Sequence, residues 1–562
     1  MEPAASEACR LLCAGAHIDG RFRTAVIDEL YVHEERFTAP SFGFDAGRVL
    51  AHALYARRLE LGWALATLVL WMLAIPLTKG LILLLLLPCV LLALAPWIRG
   101  RSDRPHLLRR AAAFVVRWYG RLGLFIMLVT LVLIGLPGED DEVSGDGSGD
   151  DTAELLPGGE LFGDLLPSGG GGGGLAWLTL FLFVLVAVGV GLQRHQSALV
   201  MLGPLSAARF PHVAADPAEN APGGRVERLK ALIRHEQHSP MVMYHTANPF
   251  RGSGAAIQTW TLAVELRPRK DRKPDPVDNR AILERVRKLV GDLREPSAHG
   301  SPEAAEAVRD RLRELRIDEC VFLPADGISS RSGAPYDEDG FAEHRAASVE
   351  EGGEARRHFL RIRVGGWEEE VVVTIFVRVH TQGGMLMLEV APHVLPPVDR
   401  GFREAERQAH QYLNNSVLGK ASWAVSHAPG SLGQCLLTVG RYLGSVRELA
   451  TGGHAGALPD GPALSIREIG ADSEVSLFQD MDVMRYLKSI QDRVAGGVKV
   501  ALFDAGWQTA EFEQKVINVS GGVYIDSANN SAFGFGDQST ATTTNTTSSA
   551  DTTNRGASDD DS

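Results

Sequence analysis

Cysteine is scarce. Cys9, Cys13, Cys89, Cys320 and Cys435 are scattered along 562 residues, which excludes a framework stapled by disulfides. Cys9, Cys13 and His17 stand four residues apart, but no fourth metal ligand accompanies them, so they read as ordinary residues near a mobile terminus. Excess positive charge is also missing. The formal net charge is −13, and no Lys/Arg stripe interleaved with aromatics occurs, so no nucleic-acid partner is expected. Catalytic signatures are absent: no G-x-S-x-G elbow, no H-E-x-x-H, no kinase set and no dinucleotide fingerprint. Gly419-Lys420-Ala421-Ser422 is not a phosphate-binding loop, because Asn414 stands where its first glycine must be. No cofactor is expected, and an enzyme is the weaker expectation. No signal peptide is read, since acidic residues precede the first apolar run.

Long apolar runs are present, and what they lack is charge. Residues 61–98 are apolar except at Thr78-Lys79-Gly80. Lys79 within one long helix would be costly in hydrocarbon. The run therefore divides into a hairpin of two transmembrane helices, 61–77 and 81–98. A third span covers 111–136, with Arg117 and Arg121 able to snorkel. A fourth covers 175–192, and the first two, at 17 and 18 residues, are near the lower limit for ~30 Å of hydrocarbon. The loop 99–110 carries Arg99, Arg101, Arg104, Arg109 and Arg110, whereas loop 137–174 holds ten acidic residues and no Lys or Arg. The positive-inside rule then places both termini and the basic loop in the cytosol and loop 137–174 outside, for a multi-pass protein of the plasma membrane with the lipid bilayer as partner. No Asp, Glu or His lies within the spans. They read as an anchor, with a transporter or channel component as an alternative.

Outside the spans, residues 1–60 form a cytosolic helical segment. Helical spacing over 21–36 is broken by Ala39-Pro40-Ser41-Phe42-Gly43-Phe44-Asp45. Asp45 is suited to cap a helix over about 46–60 that runs into the first span. This segment is expected to pack on the C-terminal domain. Residues 193–525 form a cytosolic α+β domain with a mostly antiparallel sheet. Strands are expected over Ile257–Leu266, from Val321, over His358–Val364, where Phe359, Arg361 and Arg363 alternate with Leu360, Ile362 and Val364, and over Glu369–Val379 and Met385–Val390, a hairpin around Gly383-Gly384. Helices are expected over Pro276–Leu293, Glu303–Leu315, 401–417, 432–449, 478–495 and 500–515, the last four covering the sheet. Trp260 and Trp367 read as core. Residues 526–562 are small and polar and are expected to be disordered.

Two signatures carry a resemblance: Ala39 to Asp45, and Asn248-Pro249-Phe250-Arg251-Gly252-Ser253-Gly254 followed by Trp260. With Arg357-His358-Phe359, Trp367 and Leu395-Pro396-Pro397, the chain resembles an uncharacterised group of multi-pass bacterial membrane proteins of actinobacterial type. The resemblance implies the architecture and brings no activity.

Two ligand sites are proposed by the residues themselves. Arg251, Gly252, Ser253 and Gly254 could bring backbone and a cation to an anion, although such a run is commonly a tight turn. His235 and His238 share a helical face near Glu236 and His245 and could hold a metal, although a solvated helix end is the blander reading. The expected function is a membrane-anchored binding, scaffold or signalling-adaptor protein, with an unknown protein partner or self-association. A small-ligand sensor or unfamiliar enzyme using Pro249–Gly254 is the alternative.

Overall fold

A computed structural model describes residues 2–100, 106–136, 172–220, 223–276, 278–295, 301, 303, 310–350, 355–472 and 475–517. Arg101 and Arg104, most of the acidic loop, residues 304–309 of the helix expected over 303–315, and the C-terminal tail lie outside the described residues.

Helix α1 (Glu7–Ile18) starts where Ser6 accepts the Cys9 N–H. α2 (Gly20–Ile27) continues into a π-helical turn, Asp28–Val32. α1 was not foreseen, and its Cys9 and Cys13 are not near a mobile terminus. Both are fully buried, packed with Leu12, Phe22, Val49, Leu50 and Phe402.

Asp45 caps α3 (Ala46–Leu77) through the Arg48 N–H, as its side chain predicts. The first expected span is the second half of this helix. The chain breaks at the foreseen place. Lys79 and Gly80 take positive φ, 50° and 86°, a 3-10 turn covers Leu81–Leu85, and α4 covers Leu86–Arg99. α5 (Leu107–Gly135) and α6 (Gly172–Leu202) follow. Three helices, α3, α5 and α6, are long and apolar enough to cross a membrane, and a shorter apolar helix covers Leu81–Ala95. Of the four expected spans, three fall in long helices and the second in the shorter one, because the Lys79 turn takes the start of that run out of α-helical geometry.

The second half of the chain is α+β. It comprises α7 (Gly224–His238), β1 (Met241–Tyr244), β2 (Ala255–Ala256), β3 (Trp260–Glu265), α8 (Asn279–Gly291), β4 (Arg316–Pro324), α9 (Glu338–Glu350), β5 (Arg357–Gly366), β6 (Val371–Gln382), β7 (Met385–Leu395), α10 (Arg400–Leu413), α11 (Val417–Thr451) and α12 (Leu477–Asp504). The sheet is mixed. Its order is β1-β4-β5-β6-β7-β2, with β3 also on β7, and β1 runs parallel to β4 while the other pairs are antiparallel. The β6–β7 hairpin turns at Gly383-Gly384, both at positive φ, as their lack of Cβ allows.

Alternation along the strands divides the two faces. Leu360, Ile362, Val364, Val373, Ile375 and Val377 point toward α8 and α12, where Val286, Val290, Ile490 and Val494 complete a fully buried layer. Phe322, Phe359 and Phe376 lie on the opposite face, in phase with Arg361 and Arg363. The sheet is thus covered by α12, which absorbs both expected helices 478–495 and 500–515 up to Asp504.

α11 does not join that cover. It starts fifteen residues before the expected 432, runs through Pro429, and packs on α3, α4 and α6. Ala428 is fully buried among Trp71, Leu85, Cys89, Phe183 and Ala187. Apart from Pro429, the buried ones are small residues in phase, Ala424, Ala428, Ser431 and Cys435. They let the helix axes approach closely, the packing that suits apolar helices. Trp367 is a second departure. It is 44% exposed and donates to Asp482 from a turn.

Candidate functional site

The two sequence signatures meet in space. The Ser41 hydroxyl donates to the Gly252 carbonyl at 2.9 Å. A Cβ on Gly252 would collide with the Pro40 carbonyl, and one on Gly254 with the Val394 carbonyl. The loop is therefore pressed between the N-terminal segment and β7. Its backbone does cradle an anion, but that anion is Glu468 of this same chain. One Glu468 oxygen accepts from the Gly252 and Gly254 N–H groups at 2.7 and 3.1 Å, and the other faces Arg251 at 3.3 Å. Phe250 anchors the turn, its ring 4.8 Å from Phe376 and 4.6 Å from His393. Ser253 is buried. The anion chemistry read from Arg251–Gly254 is met by a carboxylate of the chain itself, while the buried Nε of Arg251 has no partner.

His235 and His238 lie on α7 and do not converge. The His235 ring stands edge-on to Tyr336 at 5.4 Å. His238 instead lines a cleft of about 970 Å³ with Phe42, Gly43, Asp45, Arg234, Arg294, Arg316, Asp318, Arg363 and Glu369. Burial, with Arg363, Arg316 and Arg361 nearby, pushes the His238 imidazole below its ordinary value despite the opposing pull of Asp45. Arg109 lies on the first turn of α5, and Arg99 ends α4.

The cleft is built from the register of β4 on β5. Asp318 faces Arg361, and Arg316 faces Arg363. Asp318 takes both donors of Arg361, at 3.0 and 2.7 Å, and one from Arg363 at 2.6 Å. Burial pushes Asp318 up, but these guanidiniums outweigh it and hold the carboxyl below its ordinary value. Two arginines thus share one carboxylate, with a third, Arg316, opposite Arg363. Arg316 has no ion pair among the described residues, and the buried Nε of Arg363 has no partner. Burial, then the Arg361 charge, pulls Arg363 down to about 10. The Arg316 and Arg363 guanidiniums stand over the Phe42 ring, 5.4 and 4.9 Å from its centroid.

The other wall is strained. Trp367, Glu368 and Glu369 all take positive φ, 53°, 60° and 66°, a conformation that costs non-glycine residues energy and that clusters at functional sites. A Cβ on Gly43 would strike Glu369, so the glycine of the first signature is what admits this turn. Glu369 is pushed up by burial, and its inner oxygen has no partner. Sequence reading singled out the Phe42-Gly43 signature but not its use, because the arginines it meets come from strands almost three hundred residues away.

A second cluster went unnoticed. His33, Glu35 and His454 bring one ligand atom each within 4.8 Å of one another.

A family model described as an AbeC-like domain matches residues 259–533. That range begins at β3 and includes β4 to β7, α11 and α12, and it fits the expectation of an uncharacterised family. The Ala39–Asp45 and Pro249–Gly254 signatures fall before it. No curated protein and no solved structure matches the chain.

Proposed function

We propose that this chain is a multi-pass plasma-membrane protein whose cytosolic α+β unit binds a small anionic molecule, a carboxylate or phosphate, in the cleft between Phe42 and strands β4 and β5. The Arg316–Arg363 cross-strand pair carries the proposal. Like charges directly opposite on one sheet face are destabilising, and the carboxylate beside them on the same face of β4, Asp318, is already bidentate to Arg361. Two planar guanidiniums flanking one space form the donor set that takes a carboxylate or phosphate. The unpartnered Arg363 Nε and the strained Glu369 turn support the same reading.

The membrane path is part of the proposal. Trp177 at the start of α6 donates to the Gly135 carbonyl at the end of α5, and Leu92 and Pro88 meet Gly120 and Gly123 in antiparallel order. α4 therefore returns toward the side where α3 began. The 3-10 turn has five residues and α4 has fourteen. At about 2.0 and 1.5 Å per residue they rise about 31 Å together, enough for ~30 Å of hydrocarbon. Four crossings with Arg57, Arg58, Arg99, Arg109, Arg110 and Arg194 on one face keep both termini in the cytosol. α11, free of Asp, Glu, Lys and Arg between Lys420 and Arg441, dips into the bilayer beside these spans and ties the sheet to them.

Thermal unfolding of the full chain in detergent, titrated with inorganic phosphate and with succinate, tests the ligand. At least one anion should raise Tm saturably, and Arg316→Ala should abolish the rise. That variant alone should unfold no lower than wild type, because it relieves the like-charge pair. No rise in wild type, or a rise that Arg316→Ala retains, overturns the reading.

A further inference from the structure

We infer that His33, Glu35 and His454 form a binding site for one divalent transition-metal cation of the Zn²⁺ class, separate from the anion cleft. The π-helical turn after α2 ends at Val32, placing His33 and Glu35 on the next few residues, while His454 follows α11. The Nδ1 atoms of His33 and His454 converge on one Glu35 oxygen, at 2.7 and 3.3 Å. Ligand atoms of a tetrahedral Zn²⁺ site, with bonds of about 2.0–2.1 Å, stand about 3.3 Å apart, so only small side-chain shifts admit an ion. The rings lie 4.2 Å apart between centroids.

Two further observations point the same way. The second oxygen of Glu35 and the Nε2 of His454 are buried without a hydrogen-bond partner. Buried polar atoms without partners are costly and call for an explanation, and an ion held by the cluster orders the groups that carry them. The outer nitrogen of His33 faces the Glu448 carboxylate at 3.8 Å. A carboxylate on the distal N–H of a metal-bound imidazole is the usual outer-shell partner. Arg36 stands 4.0 Å from Glu35 and is engaged by Glu29.

The backbone fixes this meeting. Asp460 donates to the Glu35 carbonyl and accepts from Phe37, and Gly453 at φ 65° turns the chain out of α11. Two imidazoles and one carboxylate suit Zn²⁺ and its neighbours more than Mg²⁺ or Ca²⁺, which prefer all-oxygen shells. His33 and His454 are each 17% exposed at the side chain. A groove lined by Gly444, Arg447, Glu448 and Gly452 opens beside His454 and gives the ion a route in. A bound ion would clamp the end of α11 to the N-terminal segment.

The test uses full-length protein in detergent, purified without a histidine tag and stripped with chelator, then titrated with Co²⁺ and competed with Zn²⁺. Visible absorption bands of low-symmetry Co²⁺, saturating near one equivalent and erased by Zn²⁺, are expected. His454→Ala and Glu35→Gln should each weaken binding tenfold or more, and Glu448→Gln should weaken it less. Should those variants fail to fold, Zn²⁺ must still slow carbethoxylation of His33 and His454 in wild type, read by mass spectrometry. No saturable Co²⁺ or Zn²⁺ binding, binding unchanged in folded His454→Ala, or no protection of the two histidines would each show a hydrogen-bonded cluster only and overturn the inference.

Discussion

Glu468 shows how much one side chain can hold. It closes the Gly252 and Gly254 N–H groups and faces Arg251, so it fixes the turn that joins the N-terminal segment to β7. Glu468→Ala leaves two amide donors without their acceptor and should cost about 2 kcal/mol, seen as a lower unfolding midpoint. Glu468→Gln keeps a neutral oxygen for the same donors and should cost about half as much. His393 makes a second residue-scale prediction. It is packed against Phe250 and Phe376, and burial pulls its imidazole from 6.5 down to about 4, with the Ala391 carbonyl opposing. The unfolded chain therefore takes up this proton first. Stability is full above about pH 6.5 and falls as pH drops through the window to about 4, by about 3 kcal/mol in all. His393→Phe should flatten that part of the stability profile. Sequence could read the anion chemistry of Gly252 and Gly254, because small residues beside an arginine are a local pattern. It could not read which anion, because Glu468 is brought there by tertiary packing more than two hundred residues along the chain.

Among the elements, legibility tracked how local the deciding force is. The β6–β7 hairpin was visible because period-two alternation and Gly383-Gly384 both sit within the segment, and Asp45 announced α3 by its capping chemistry. α11 was half hidden. Ala428-Pro429-Gly430 reads as a break, and a face of small residues carries little hydropathy, yet that face is what fits against α3, α4 and α6. Ala428 is fully buried there. Ala428→Leu should therefore overpack the contact and lower stability by about 1–3 kcal/mol, measured by thermal unfolding in detergent. Leu436→Ala, on a side chain 58% exposed, should change it little. If the two substitutions behaved alike, α11 would not be a packed member of the helical bundle.

At the scale of the whole molecule, charge and connectivity work together. Apolar runs and the arginine-rich loop were readable because lipid rejects charge wherever the chain goes. The docking of the α+β unit onto the helices was not readable, since it depends on α10 and α11 leaving the sheet and α12 returning to it. The proposed sidedness has a direct readout. If α3 starts in the cytosol, the Lys79 turn faces outward and the start of α5 faces inward. Lys79 and Arg110 are both exposed, and the five native cysteines are all buried, so single cysteines at these two places report cleanly. A membrane-impermeant maleimide applied to intact cells should label Lys79→Cys and spare Arg110→Cys until the membrane is opened. The reverse pattern would invert the path and carry the arginine cleft to the outer face, where its anion would have to come from the medium.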